Sequence, residues 1–228
     1  MNTHSLFISL LIIQITFFVL TLLFYIAASW VKLEPTKKFF RKLLIINNVF
    51  GNMYCWYLIT DNFWFCSIPM PLLASLSYKY TRNKTYQTLI AFLNFILPMS
   101  WAVSALGIFM LLINIILHPL WWIKSLKIHR TQWLPQYASI AFHGGTIQPR
   151  VGYLGFNMGC CTFMRPNQEH ILLHEMGHQL NLCIFGAWFH YIGALDENFI
   201  HKNPCSAYAE LLADSICTKS NHEWCIWS

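Results

Sequence analysis

From Leu6 to Trp30 the chain runs 25 residues with Gln14 as its only strongly polar side chain. Hydrocarbon offers a backbone no hydrogen-bond partner, so an apolar stretch of this length satisfies its own N–H and C=O groups best as a helix. At 1.5 Å per residue such a helix exceeds the roughly 30 Å of a bilayer core. We therefore predict a membrane-spanning helix over Leu6–Trp30. A secretory leader is the competing reading, kept open by Ala27-Ala28-Ser29. Against it, the start Met1-Asn2-Thr3-His4-Ser5 lacks Lys and Arg, and the apolar run is longer than a typical leader core.

A second apolar run extends from Thr88 to Ile123, with Pro98 and Pro119 inside it. Pro98 predicts a break and leaves Ser100–Pro119 as a single span, with Trp121, Trp122 and Lys124 marking a membrane interface. Between the two runs, residues 43–78 are apolar yet carry Asn47, Asn48, Asn52, Asp61 and Asn62, and Pro69 and Pro71 interrupt their end. Asp61 reads either as a functional acid inside the membrane or as a loop or interfacial residue. Residues 1–130 are thus expected to form a transmembrane region of roughly two to four spans.

Charge separates this region from the rest. Residues 1–130 hold eleven Lys/Arg against two acids, a balance of +9, and residues 131–228 hold four against seven, or −3. The cations cluster as Lys32, Lys37, Lys38, Arg41 and Lys42, then Lys79, Arg82 and Lys84, then Lys124, Lys127 and Arg130, each group flanking an apolar run. That is the pattern of membrane topology rather than of a phosphate-binding face, so a lipid bilayer and no nucleic acid is the expected partner. All three clusters favour the cytoplasmic side, which predicts an even number of crossings between them and a cytoplasmic C-terminal module. The eight cysteines form no regular framework and no C-x-x-C, in keeping with a reducing compartment. Cys205 and Cys217, which flank Glu210, are read as small buried fillers.

The C-terminal segment carries the chemistry. Seven of the nine acids fall at or after Glu169. Among them stands His174-Glu175-Met176-Gly177-His178, two imidazoles one helical turn apart with a carboxylate beside the first, the spacing that binds zinc from one helix. Ile171, Leu172, Leu173, Leu180 and Leu182 surround it, and in apolar surroundings His and Glu are costly unless paired or metal-bound. Further on, Glu210-Leu211-Leu212-Ala213-Asp214 offers a third ligand and, one turn later, an acceptor behind the ligands.

Around these motifs we predict short strands from Gln136 onward. Tyr137–His143 is followed by the turn Gly144-Gly145, and Val151–Met164 makes one or two strands whose edge can take an extended peptide. Asn167 is expected to cap a helix running from Gln168 to Cys183, with His170 solvated in its first turn. Gly177 costs helix propensity in mid-segment, as close approach of another backbone would require, although packing alone is an equal explanation.

The pairing of H-E-x-x-H with a later E-x-x-A-D resembles the gluzincin metallopeptidases, and is most similar to their membrane-integral branch, which includes the CAAX prenyl endopeptidases and bacterial heat-shock membrane proteases. The resemblance spans His174 to Asp214 and is specific at five positions. It implies His174, His178 and Glu210 as zinc ligands, Glu175 as general base and Asp214 as the acceptor that orients a ligand imidazole. The chain departs from that branch in its shorter gap between the motifs and in lacking a long apolar hairpin there, since Leu182–Leu195 is too short to span. Gly177 to Asn181, with Phe185-Gly186 and Asp196-Glu197-Asn198, is also similar to uncharacterised bacterial membrane proteins carrying H-E-x-G-H.

The expected fold is mainly α, with N-terminal transmembrane helices over residues 1–130 followed by a small α+β zincin-like module over residues 131–228. The expected function is a zinc-dependent metallohydrolase of the peptidase kind, integral to the bacterial inner membrane, acting on a peptide or membrane-protein substrate with Zn2+ as cofactor. Tyr208, His190, His201 and His222 are unranked candidates for stabilising an oxyanion. Two other classes stay open: a membrane-anchored scaffold with structural zinc, and a small transporter built around Asp61.

Overall fold

The computed structural model describes residues 3–62, 83–148, 154–201 and 206–217. Helix α1 covers Thr3–Trp30 and α2 covers Glu34–Thr60. Glu34 and Pro35 open α2, where a proline loses no intrahelical bond and an acid faces the positive helix end. Asp61 closes α2 in the left-handed conformation and is exposed, so it is a helix cap outside any buried polar path. Pro69, Pro71, Lys79 and Arg82 lie outside the described residues.

Helix α3, Lys84–Leu93, starts on Asn83, whose side chain accepts the Tyr86 N–H at 3.1 Å. The chain turns before Pro98 and continues as α4, Pro98–Leu117, so the break falls where the proline predicts it. Leu6–Trp30 and Pro98–Leu120 are long and apolar enough to cross a membrane. Phe7, Leu11, Ile15, Val19 and Leu23 on α1, and Ile108, Phe109, Leu112 and Ile116 on α4, stand exposed along them. Such continuous apolar surface calls for lipid or another chain to cover it.

A four-stranded mixed sheet follows, in the order β1-β2-β4-β3. The first strand arises earlier than predicted: β1 is Ile128–Leu134, while Pro135–Tyr137 forms a single 3-10 turn and β2 starts only at Ser139, ending at Gly144. The stretch expected as one or two strands becomes a tight hairpin of β3, Gly155–Met158, and β4, Cys161–Met164; residues 151–153 lie outside the described set. β4 pairs parallel with β2, from Ile140 opposite Cys161 to His143 opposite Met164, which leaves β3 as an edge.

The motif helix α5 runs Leu172–Leu195, longer than predicted at its C-terminal end. Asn167 does not cap it. That residue has φ 65° in a turn, and the chain enters α5 through a 3-10 turn at Glu169–Ile171, where His170 is exposed. Nor does α5 stop at Cys183. It breaks at Gly186, whose φ of 84° and ψ of 175° only glycine adopts readily, and then resumes. The carbonyls of Cys183 and Ile184, just before the break, accept from Asn48 Nδ2 at 3.1 and 2.9 Å. Asn52 braces Asn48 through its Nδ2 and takes the Met99 N–H on its Oδ1 at 3.0 Å. Ser100 donates to the Leu182 carbonyl and Asn94 to that of Gln179. Asn48 of α2, braced by Asn52, and Ser100 of α4 are thus the donors that let a buried helix break without stranding its backbone.

After a π-type turn at Asp196–His201 the chain forms α6, Tyr208–Cys217. The main core draws on both halves of the sequence: Tyr25, Leu44, Ile45 and Ile90 pack with Leu180, Phe185, Phe189, Ile192, Tyr208 and Leu212. A second cluster, Leu134, Ala141, Met164, Ile171 and Met176, fixes α5 to the sheet. At about 1.5–3 kcal/mol per large apolar side chain buried, α5 is held firmly from both sides.

Candidate metal centre

The site is built where α6 crosses α5. An added Cβ on Gly177 would stand 2.3 Å from the Ala213 carbonyl oxygen, so only glycine lets the two backbones meet this closely. The close approach predicted at Gly177 is therefore present, and α6 supplies it. It brings the first turn of α6, with Glu210, over the face of α5 that carries His174 and His178.

Three donor atoms converge there. His174 Nε2 lies 3.0 Å and His178 Nε2 3.2 Å from Glu210 Oε2, and the two nitrogens are 3.1 Å apart. Three ligands of a tetrahedral zinc at 2.0–2.1 Å would be separated by about 3.3 Å, so the donor set already has the size of one face of such a polyhedron. Among the described residues it is the one group of three or more His, Cys, Asp or Glu side chains arranged to hold a metal ion.

The hydrogen-bond chemistry asks for a cation at the same spot. Asp214 Oδ1 accepts from His174 Nδ1 at 3.0 Å, and a carboxylate only accepts, so that nitrogen carries the proton. In the neutral ring, Nε2 of His174 is then a lone pair facing a second imidazole nitrogen and a carboxylate oxygen. One proton can serve one of these contacts, whereas a divalent ion serves all three. Without an ion, the ring takes up a second proton instead. Burial opposes charge on His174, yet Asp214 and Glu210 outweigh it and raise the ring's pKa to about 10. Burial likewise pushes the Glu210 carboxyl up, but His178 and His174 hold it well below the usual carboxylate range.

Glu175 sits one residue on from His174 and turns toward the sheet. An added Cβ on Gly155, the first residue of the edge strand β3, would come within 2.9 Å of its Oε1. Its Oε2 is buried with no hydrogen-bond partner, and burial raises its pKa. All five residues singled out in the sequence are buried or nearly so, and four of them, His174, His178, Glu210 and Asp214, are in direct contact.

The four candidates for an oxyanion donor now separate. His190 lies against His178, ring centroids 6.2 Å apart, and bonds to the backbone of Asn157 in β3. Burial and the neighbouring His178 lower its pKa to about 4, so it is neutral at physiological pH. Tyr208 accepts from Arg41, and His201 bonds to Asp196. His222 is outside the described residues, as are Cys205 and the side chain of Cys217. One residue escaped the sequence reading. Glu197, in the π-type turn, has its pKa raised to about 7 by burial and by the charge of Glu210, and it also feels His178, Glu175 and His174. An acid in so acid-poor a chain, set between apolar Leu195 and Phe199, was the available signal.

No protein-family model, curated protein or solved structure matches this chain.

Proposed function

We propose that the protein is a membrane-embedded zinc metallohydrolase that cleaves peptide bonds. The observation that carries this reading is the triangle of His174 Nε2, His178 Nε2 and Glu210 Oε2, with edges of 3.0 to 3.2 Å. These three side chains would hold the ion, and Asp214 fixes the tautomer and orientation of His174. A zinc ion held by three protein ligands supplies Lewis acidity, lowering the pKa of water toward about 7 and polarising a carbonyl.

The chain's own residues do the rest. Glu175, an unpaired carboxylate beside the cluster, takes the proton from an attacking water and returns it to the leaving amine. Its burial favours the protonated form, which moves it toward the range where a carboxyl group exchanges protons near neutral pH. Strand β3 is an edge among the described strands, next to Glu175, and its outer backbone, which His190 meets at Asn157, suits an extended peptide. The motif resemblance to membrane-integral gluzincin peptidases supports the same reaction.

Lipid seating is supported by the exposed apolar flanks of α1 and α4 and by the cations that follow each helix. We infer the bacterial inner membrane, with the metal centre toward the cytoplasm and a peptide or membrane protein as substrate. The test is metal analysis of the purified protein and of Glu210→Ala, joined to a proteolysis assay on Glu175→Gln. The reading requires near-stoichiometric zinc in the wild type, its loss in Glu210→Ala, and zinc retained without turnover in Glu175→Gln. A wild type that binds no zinc ends it.

A further inference from the structure

The two residues just before Glu210 are held by polar contacts from three different helices. Tyr25, near the end of α1, donates its hydroxyl to Asp196 Oδ2 at 2.7 Å and accepts the Ala209 N–H at 3.2 Å. The other oxygen of Asp196 accepts from His201 Nδ1 at 2.6 Å. Asn181 Nδ2 donates to the Ala209 carbonyl at 3.3 Å, and Arg41 Nε donates to the Tyr208 hydroxyl at 2.9 Å. Tyr25, Asn181, Asp196, Tyr208 and Ala209 are all buried. The Tyr25 ring stands edge-on to Phe189 at 5.3 Å and to Tyr208 at 5.4 Å, so it has little freedom to swing away.

The placement of these bonds matters more than their number. Asp196 follows directly on α5, the helix that carries both histidines, while Ala209 is the neighbour of Glu210. The Ala209 N–H belongs to the first turn of α6, where a backbone donor has no intrahelical partner and must find one elsewhere. The Tyr25 hydroxyl gives a proton to one side and takes one from the other, so a single oxygen ties the end of the histidine helix to the start of the glutamate helix.

We propose that Tyr25 is a positioning residue for the metal centre: by bridging Asp196 and the Ala209 N–H it sets where α6 presents Glu210 to His174 and His178. The inference rests on the metal reading above and extends it to a helix that looks, by composition, like a plain anchor. Along α1 the described side chains that are buried, Thr21, Tyr25 and Ala28, gather in its last third on one stripe, while the others are half-buried or exposed. That last third is scaffold for the centre.

The test is zinc affinity of the full-length protein in detergent, measured by competition with a chromophoric chelator, with helix content recorded for every variant. Tyr25→Phe keeps the ring and removes only the hydroxyl. It should bind zinc about 10–100-fold more weakly, the usual effect of losing a group that orients a ligand. Asp196→Ala should do the same, and the double variant should be no weaker than the worse single, since both remove one linkage. Leu23→Ala, on the exposed side of α1, should match the wild type. If Tyr25→Phe does not fold, Asp196→Ala decides in its place, since it removes the acceptor that Tyr25 bridges to. Folded Tyr25→Phe, or Asp196→Ala in its place, binding zinc as tightly as wild type overturns the inference and leaves the metal reading standing. Additive losses in the double variant also overturn it. A wild type without zinc removes both.

Discussion

Two buried polar clusters sit on the same helix, and they solve opposite problems. At the Gly186 break the freed groups are carbonyl acceptors, and donors from Asn48 and Ser100 meet them, with Asn94 bonding the Gln179 carbonyl further up the helix. At His174, His178 and Glu210, three metal-ligating atoms face one another within 3.2 Å; Asp214 takes the Nδ1–H of His174, and a second proton on that ring serves only one of the three contacts. The first cluster serves its carbonyls as folded, although Asn94 Oδ1 has no hydrogen-bond partner among the described residues. The second calls for positive charge at its centre, which a proton on His174 supplies to one contact and a metal ion would supply to all three.

Substitutions should therefore separate the two clusters cleanly. The largest effect belongs to Glu175→Gln, which leaves the three ligands in place and should lower peptide turnover by about 10²–10⁴-fold with zinc content unchanged. Turnover surviving at wild-type level would remove Glu175 from the chemistry. Asp214→Ala should weaken zinc by about 10–100-fold, read by chelator competition, because His174 loses the partner that fixes its tautomer. Asn48→Ala should do the reverse. Leaving the Cys183 and Ile184 carbonyls short of a donor costs about 1–3 kcal/mol of stability, visible in thermal or denaturant unfolding, while the zinc affinity of the folded protein holds. If Asn48→Ala lost zinc and Asp214→Ala did not, the contrast between the clusters would be wrong.

The gentlest effect, counted per pH unit, is the dependence on pH. With its pKa raised to about 10, metal-free His174 holds a proton at pH 7 that zinc must displace. Zinc affinity should accordingly climb from pH 7 toward pH 10, by at most about tenfold per unit for this proton, and fall on acidification. A flat profile over that range would mean that the ring is already neutral in the free protein.

The sequence announced the second cluster far better than the first. Side chains four apart share a helix face whatever the tertiary fold, so His174 with His178, and Glu210 with Asp214, were legible as two pairs. Gly177 was legible as a position needing close approach, because a mid-helix glycine costs about 1 kcal/mol and asks for a reason. The asparagines of α2 were not legible. Asn48 meets carbonyls of a helix far along the chain, at a break that needs its donors, while Asn47 meets Thr21 and Asn52 the Met99 N–H. Strand β1 escaped for a local reason: Ile128-His129-Arg130-Thr131-Gln132-Trp133-Leu134 lies at an edge with most of its residues exposed, so no alternation of apolar and polar residues marks it. Glu197 escaped because a turn residue reaches a site only through the path of the chain around it.

The bond between Asn48 and the α5 break has a consequence for how the protein is made. Its donor and acceptors are separated by 135 and 136 positions. At a synthesis rate of about 5–20 residues per second, the amide leaves the ribosome roughly 7–27 s before its partners exist. During that interval the Asn48 amide has none of its final partners, so this bond, and the bracing of the α5 break that depends on it, forms only once the C-terminal third has emerged.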